Sequence, residues 1–151
     1  MTIPVFLSAK AEILGEAGDK DGALTTIDSA ISTTLGNADL LNSRCWIKGT
    51  LGVMLDTALK DCTRSIELSE SPEKAMDSRA MVYFRLNRFD DALADLNAAL
   101  DLDPQLPASM FMRGLIRKRM GDAKAGDSDL AAARMMAPQI DRTYAKFGIK
   151  P

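Results

Sequence analysis

The chain has 151 residues, a net charge of −2, 46% apolar residues and only 5% aromatic ones. That length supports one domain with a real core, and the near-neutral balance removes any global pull toward nucleic acid or a membrane surface. Histidine is missing altogether, which takes away the commonest general base and metal ligand, and no apolar run of the ~18 residues that mark a membrane span occurs.

Four helical pairs follow one another along the chain. The first, over about residues 4–38, opens with MTIPVFLSAKAEIL, which lacks the basic n-region and long apolar core of a signal peptide. It sets Lys10 before a small residue, Ala11, with further small residues at Ala23 and Ala30. The second pair, over about 39–72, repeats the pattern as Arg44, Cys45, Ala58 and Ser65. The third, over about 73–106, has Arg79, Ala80, Ala92 and Ala99, and the fourth, over about 107–140, has Arg113, Gly114, Gly126 and Ala133. The first small site recurs at spacings of 34, 35 and 34, the second and third at 35, 34 and 34. One inserted residue between Cys45 and Ala58 reconciles the three series, and the turn in GTLGVMLD is its natural home. A period of this length marks a helical repeat array.

Small residues at fixed places let two helices approach more closely than the usual ~8–10 Å. A larger residue one turn on (Ile27, Cys62, Leu96, Leu130) fills the flank. Prolines close the units at Pro104 and Pro138, and at Pro72 two residues late. In the tail QIDRTYAKFGIKP, Ile140, Tyr144 and Phe147 fall at i, i+4 and i+7. That stripe predicts a capping helix over about 139–148 that covers the last pair and stops at Gly148.

In the third unit, Ala80, Tyr83, Asn87, Phe89, Ala92, Leu96, Ala99 and Pro104 match the small, aromatic, turn, aromatic, small, large apolar, small and proline places of the tetratricopeptide repeat (TPR) motif. The stretch from about 3 to 140 resembles that family. The first unit departs most, with Glu12 and Gly15 on its first helix, and the fourth has Met110, Arg113 and Arg117 in place of large apolar and aromatic residues. The resemblance implies an all-α fold, a right-handed superhelix of four helix–turn–helix units plus the capping helix, forming a single domain over 1–151. It also implies a concave groove, lined by the first helix of each unit, that takes an extended peptide or a helix. Carried over by position, the groove is lined by Asn42, Trp46, Asp77, Met81, Phe84, Phe111 and Leu115, with Arg85, Lys118 and Arg119 beside the apolar strip. Trp46, the only tryptophan, is the expected anchor; the plainer reading has Trp46 and Met81 sealing a narrow groove between them. Some TPR co-chaperones grip a C-terminal carboxylate with a lysine and asparagines. The matching places here hold Ser8, Asn42, Asp77 and Phe111, which do not form that clamp.

Cys45 and Cys62 sit on the two helices of one pair, facing one seam, either as a disulfide or as two packing thiols. The fourth unit has six basic and three acidic residues and the third has four and seven, a dipole suited to steering an acidic segment. Arg44, Arg79 and Arg113 read as stems lying between helices. Asp90, Asp91, Asp95, Asp101 and Asp103 read as solvated helix surface, because they lack the spacing of a calcium loop.

The expected function is a non-enzymatic interaction scaffold, without catalytic residues, metal or cofactor. Its partner is a protein or peptide with apolar and acidic residues; nucleic acid and membrane insertion are not expected. The alternative is the C-terminal TPR module of a larger, exported bacterial protein whose activity lies in another domain. A cytoplasmic location goes with a complete chain and a periplasmic one with such a piece. Dimerisation through the first helix stays open.

Overall fold

The computed structural model describes residues 2–151; Met1, where the expected domain begins, lies outside them. Eight helices form four antiparallel pairs: α1 (Ile3–Glu16) with α2 (Lys20–Thr33), α3 (Ala38–Leu51) with α4 (Leu55–Leu68), α5 (Glu73–Arg85) with α6 (Phe89–Leu102), and α7 (Pro107–Arg119) with α8 (Ala123–Met136). A short α9 (Ile140–Ala145) follows, and no strand occurs among the described residues. Each pair packs on the next in chain order. Side-chain caps start several helices: Asp19, Asn37 and Asp122 accept from Gly22 N, Leu40 N and Ala125 N at 2.9, 3.0 and 3.2 Å, satisfying amides that the first helical turn leaves free.

Three residues connect the helices within every pair, and each turn holds a left-handed residue: Gly18, Gly52, Asn87 and Gly121. The residue after the left-handed one donates back to the first helix, as in Val53 N to Lys48 O at 3.0 Å and Arg88 N to Tyr83 O at 2.9 Å. Asn is the side chain best suited to replace glycine there. The residue inserted in the second unit lies in the turn, as expected. The N-cap of the second helix follows the left-handed residue directly at Asp19, Arg88 and Asp122, but one residue later at Met54, which is itself left-handed at φ 50°. Pro72 is the N-cap of α5 rather than the end of α4.

The expected small contacts are the tightest places in the core. Ala11, Ala23, Cys45, Ala58, Ala80 and Ala92 are all 0% exposed. In the fourth pair glycine meets glycine: a Cβ on Gly114 would lie 2.8 Å from Gly126 O, and one on Gly126 would lie 2.7 Å from Gly114 O. Cys45 and Cys62 form a disulfide between α3 and α4, with Cα atoms 5.5 Å apart.

The recurring arginines do more than lie between helices. Arg44, Arg79 and Arg113 grip Asp61, Asp95 and Asp129 through paired hydrogen bonds of 2.7–2.9 Å. The third guanidinium nitrogen reaches the second helix of the preceding pair, at Asp28, Thr63 or Asn97 (3.0, 3.3 and 3.1 Å). Each arginine therefore ties three helices. The hydrogen bond to the partner aspartate raises the pKa of Arg44 and of Arg79, against the opposing effect of burial. Asp95 is thus not solvated surface: it is 6% exposed and committed to Arg79, while Asp90, Asp91 and Asp101 are exposed. Lys48 and Arg117 add a second cation to Asp61 and Asp129. At the same place in the third unit, Tyr83 lies under the guanidinium of Arg88, 4.7 Å from its ring centre.

Two stability outcomes follow from this packing. Gly114→Ala lowers unfolding free energy by roughly 1–3 kcal/mol, the usual cost of overpacking, read by urea titration. Asp95→Ala strands the half-buried Arg79 and costs about 2–4 kcal/mol, whereas Asp91→Ala, which breaks only the exposed pair with Arg88, costs less than about 1 kcal/mol.

Candidate functional site

The first helices of the pairs, α1, α3, α5 and α7, present the residues expected to line a groove. Of the apolar ones, Met81, Phe84 and Leu115 lie in the C-terminal halves of α5 and α7 and Phe111 in the N-terminal half of α7, and the space above them is filled. Met81, Phe111 and Leu115 are at most 1% exposed and Phe84 is 6% exposed. They share one cluster with Tyr144 and Ile149, against which Trp46 and Phe147 also pack. The tail after Pro138 therefore does not stop at covering the last pair. Tyr144 lies 4.7 Å from Phe111, Phe147 meets Trp46 edge-on at 5.8 Å, and Lys146 reaches Glu16 of α1 at 3.6 Å. The helix itself ends at Ala145, before Phe147 and Gly148; Ile149 N turns back onto Tyr144 O at 3.1 Å.

The basic residues expected beside the strip are engaged elsewhere or set apart. Arg85 donates to Gly49 O (3.0 Å), Thr50 O (2.6 Å) and Phe147 O (2.8 Å), and burial lowers its pKa. Two of these are carbonyls in the last turn of α3; Gly49 O also accepts from Gly52 N at 3.2 Å. Lys118 pairs with Asp127 at 2.7 Å, and Arg119 stacks 4.8 Å over the Phe84 ring. The structure thus gives the three cations no common site at which to hold a carboxylate. The sequence offered no means of seeing this, because each engagement depends on a residue distant along the chain.

The N-terminal halves of the same helices bound an open cavity of about 810 Å³. Trp46 forms part of its wall, with Asn42, Asp77, Glu12, Ser43, Ser109 and, from the tail, Gln139, Thr143 and Tyr144. Two serine–carboxylate pairs bridge first helices of neighbouring units, from α3 to α1 and from α7 to α5, while Ser78 of α5 donates to Lys74 O of its own helix. A serine on one helix donates to a carboxylate on the preceding one: Ser43 to Glu12 at 2.8 Å and Ser109 to Asp77 at 2.7 Å. Ser8 extends the first of these, 2.6 Å from Ser43 Oγ. Burial raises the pKa of Glu12, with the Ser43 hydrogen bond opposing. Burial likewise pushes Asp77 up to about 6 against the hydrogen bond from Ser109. The Tyr144 hydroxyl is pushed well above its ordinary value by burial and then by Asp77. Asn42 Oδ1 is buried and has no hydrogen-bond partner among the described residues. With Asp39 on the wall and Lys74 the one cation there, the cavity is rich in acceptors. Glu12, next to the first small residue like Trp46, Met81 and Leu115, and Ser8, one turn before it, fall on the groove by position; Ser43 and Ser109 stand at different places in their units, so no repeat signal marks them.

Comparison with known proteins agrees with this architecture. Residues 73–106 match the family model described as tetratricopeptide repeat. No curated protein matches the sequence at a significant level. Among solved structures, a thermophilic TPR protein of Thermus thermophilus superposes with a TM-score of 0.81 at 20% identity, over 95% of this chain and 79% of that one. MamA of Desulfovibrio magneticus RS-1 gives 0.70 at 16% identity, over 91% and 77%. The first TPR of Spaghetti (RPAP3), solved bound to the HSP90 peptide SRMEEVD, gives 0.62 at 20% identity, over 85% and 93%.

A carboxylate buried at a cost to the fold has a measurable signature. Asp77 ionises at about 6 when folded, against an ordinary value of 3.8. Between these values the folded state binds more protons. The contribution of Asp77 is therefore fully present below about pH 4 and lost as pH rises through about 6. Asp77→Asn keeps the acceptor for Ser109 and is expected to stabilise the protein at neutral pH by roughly 1–2 kcal/mol, after allowance for partial solvent access. The gain disappears near pH 4, as urea titrations at the two pH values will show.

Proposed function

We propose that the chain, which carries a tetratricopeptide repeat at 73–106 and shares the fold of TPR proteins, is a non-enzymatic scaffold that binds a peptide or helix of a protein partner in its concave groove. One observation carries this reading. The concave side holds a cavity of about 810 Å³, walled by a half-exposed tryptophan and convergent polar groups. Such a mix of apolar wall and few placed polar groups suits a ligand. The peptide-bound RPAP3 structure shows a fold of this kind holding a short segment.

The partner chemistry follows from the charges. An acidic segment was expected from Arg85, Lys118 and Arg119, but Arg85 and Lys118 already have partners. The open cavity instead offers Glu12, Asp39, Asp77 and the Asn42 oxygen. It suits a segment with apolar side chains and hydrogen-bond donors, amides or cationic groups. Trp46 is the anchor, supplying area and an N–H.

A second reading has its own observation. The outer side of α1 exposes Ile3, Val5, Phe6 and Ile13 by 55–76%, an apolar surface suited to a further packed element. As the C-terminal module of a larger protein, the chain would use it to hold another domain.

Displayed random peptides selected on the folded protein test the first reading. Selected peptides are expected to lose at least about tenfold in affinity to Trp46→Ala, an ordinary loss for an anchor residue, while Ile13→Ser binds as before. Failure to select any peptide, or equal binding by Trp46→Ala, removes the groove as the site.

A further inference from the structure

The filled half of the groove shows what kind of segment it accepts. The tail crosses the floor laid by Trp46, Met81, Phe111 and Leu115, and seats Tyr144, Phe147 and Ile149 on it. Tyr144 and Ile149 are each 2% exposed. The polar attachments are few. Arg85 donates to the carbonyl of Phe147 from 62 residues away at 2.8 Å, the Tyr144 hydroxyl reaches Ala108 O at 3.5 Å, and the Lys146–Glu16 contact is exposed. Only six residues of this segment are helical, and Gly148 turns at a positive φ of 74°. Segments held by so few polar attachments open more readily than the repeats beneath them. A peptide lying across the first helices, apolar side chains down and one carbonyl on an arginine, is how such a groove would hold a ligand in trans.

We propose that residues 140–149 are a built-in competitor for the groove, and that the partner binds there by displacing them with a segment of the same chemistry: two aromatic side chains three residues apart and an aliphatic one two further on. The inference rests on the groove reading above and extends the site from the open cavity to the covered floor beside it, since releasing the tail also opens the cavity wall made by Thr143 and Tyr144. A tethered competitor acts at an effective concentration in the millimolar range. The affinity of a free segment is reduced by the fraction of molecules in which the tail is released.

The test uses the full chain and a labelled synthetic peptide copying residues 138–151, followed by fluorescence anisotropy, with hydrogen exchange of the tail amides measured in parallel. Phe147→Asp places a charge that cannot stay against Trp46, and Phe147→Leu keeps an apolar fit. Phe147→Asp is expected to speed exchange at 144–149, leave α3 and α5 protected, and bind the peptide at least tenfold more tightly than the wild type. Phe147→Leu is expected to stay close to the wild type in both measurements. Unchanged exchange in Phe147→Asp makes the tail an integral part of the core and overturns the proposal. So does a released tail without tighter peptide binding, or loss of protection throughout the repeats. A wild-type dimer by light scattering, with exchanged tails, overturns the intramolecular form. If library-selected peptides bind the groove but gain nothing from Phe147→Asp, this inference falls and the groove function stands. If neither selected peptide nor tail copy binds, both fall.

Discussion

Everything in this fold depends on how closely the two helices of each pair can approach. Each of the pairs Ala11 and Ala23, Cys45 and Ala58, and Ala80 and Ala92 is buried in one shared cluster, and Gly114 faces Gly126 directly. Close approach sets the register, and the register makes the charged contacts feasible. A guanidinium on the first helix reaches the carboxylate on the second only when the two backbones are near and in phase, as at Arg79 and Asp95. The same arginine then reaches back to the previous pair, so that packing within a unit and stacking between units share one side chain. The first unit has Lys10 and Thr26 at the matching places, and its outer surface is the one that stays apolar and exposed.

The concave side divides into two halves with different chemistry. Where the first helices end, the surface is apolar and the protein's own tail covers it. In the other half, two serine–carboxylate pairs stand around an open cavity. Desolvation holds Asp77 and Glu12 above their ordinary pKa values, a cost that packing alone would not require. Groups kept at such a cost are frequent where a protein binds something. The arginine that links the halves, Arg85, is a structural clamp on carbonyls rather than a free charge.

Much of the architecture was legible in the sequence. The small residues recur at 34 or 35 because a pair of helices of fixed length must return to the same crossing, and Pro104 and Pro138 fall where the chain must leave a helix. The helix that carries Trp46, and its face, were legible for the same reason. The partners of charged side chains were not. Asp95 and Asp91 differ by one helical turn and look alike in the sequence, yet one is gripped by Arg79 and the other faces water. The insertion was readable as one residue in the turn, but the left-handed backbone that Met54 adopts to accommodate it was not.

By itself the sequence determined the repeat, the paired helices, the close crossings and the apolar strip. Each of these is a local pattern, repeated at short range and governed by helix geometry and side-chain size. Only the tertiary structure decided what covers that strip. The return of Phe147 to Arg85 spans 62 residues, and the contact from Lys146 to Glu16 joins the two ends of the chain. Contacts of that range leave no periodic trace. They arise because the stacked units together create an apolar surface that no single unit has, and the tail is the nearest chain able to bury it.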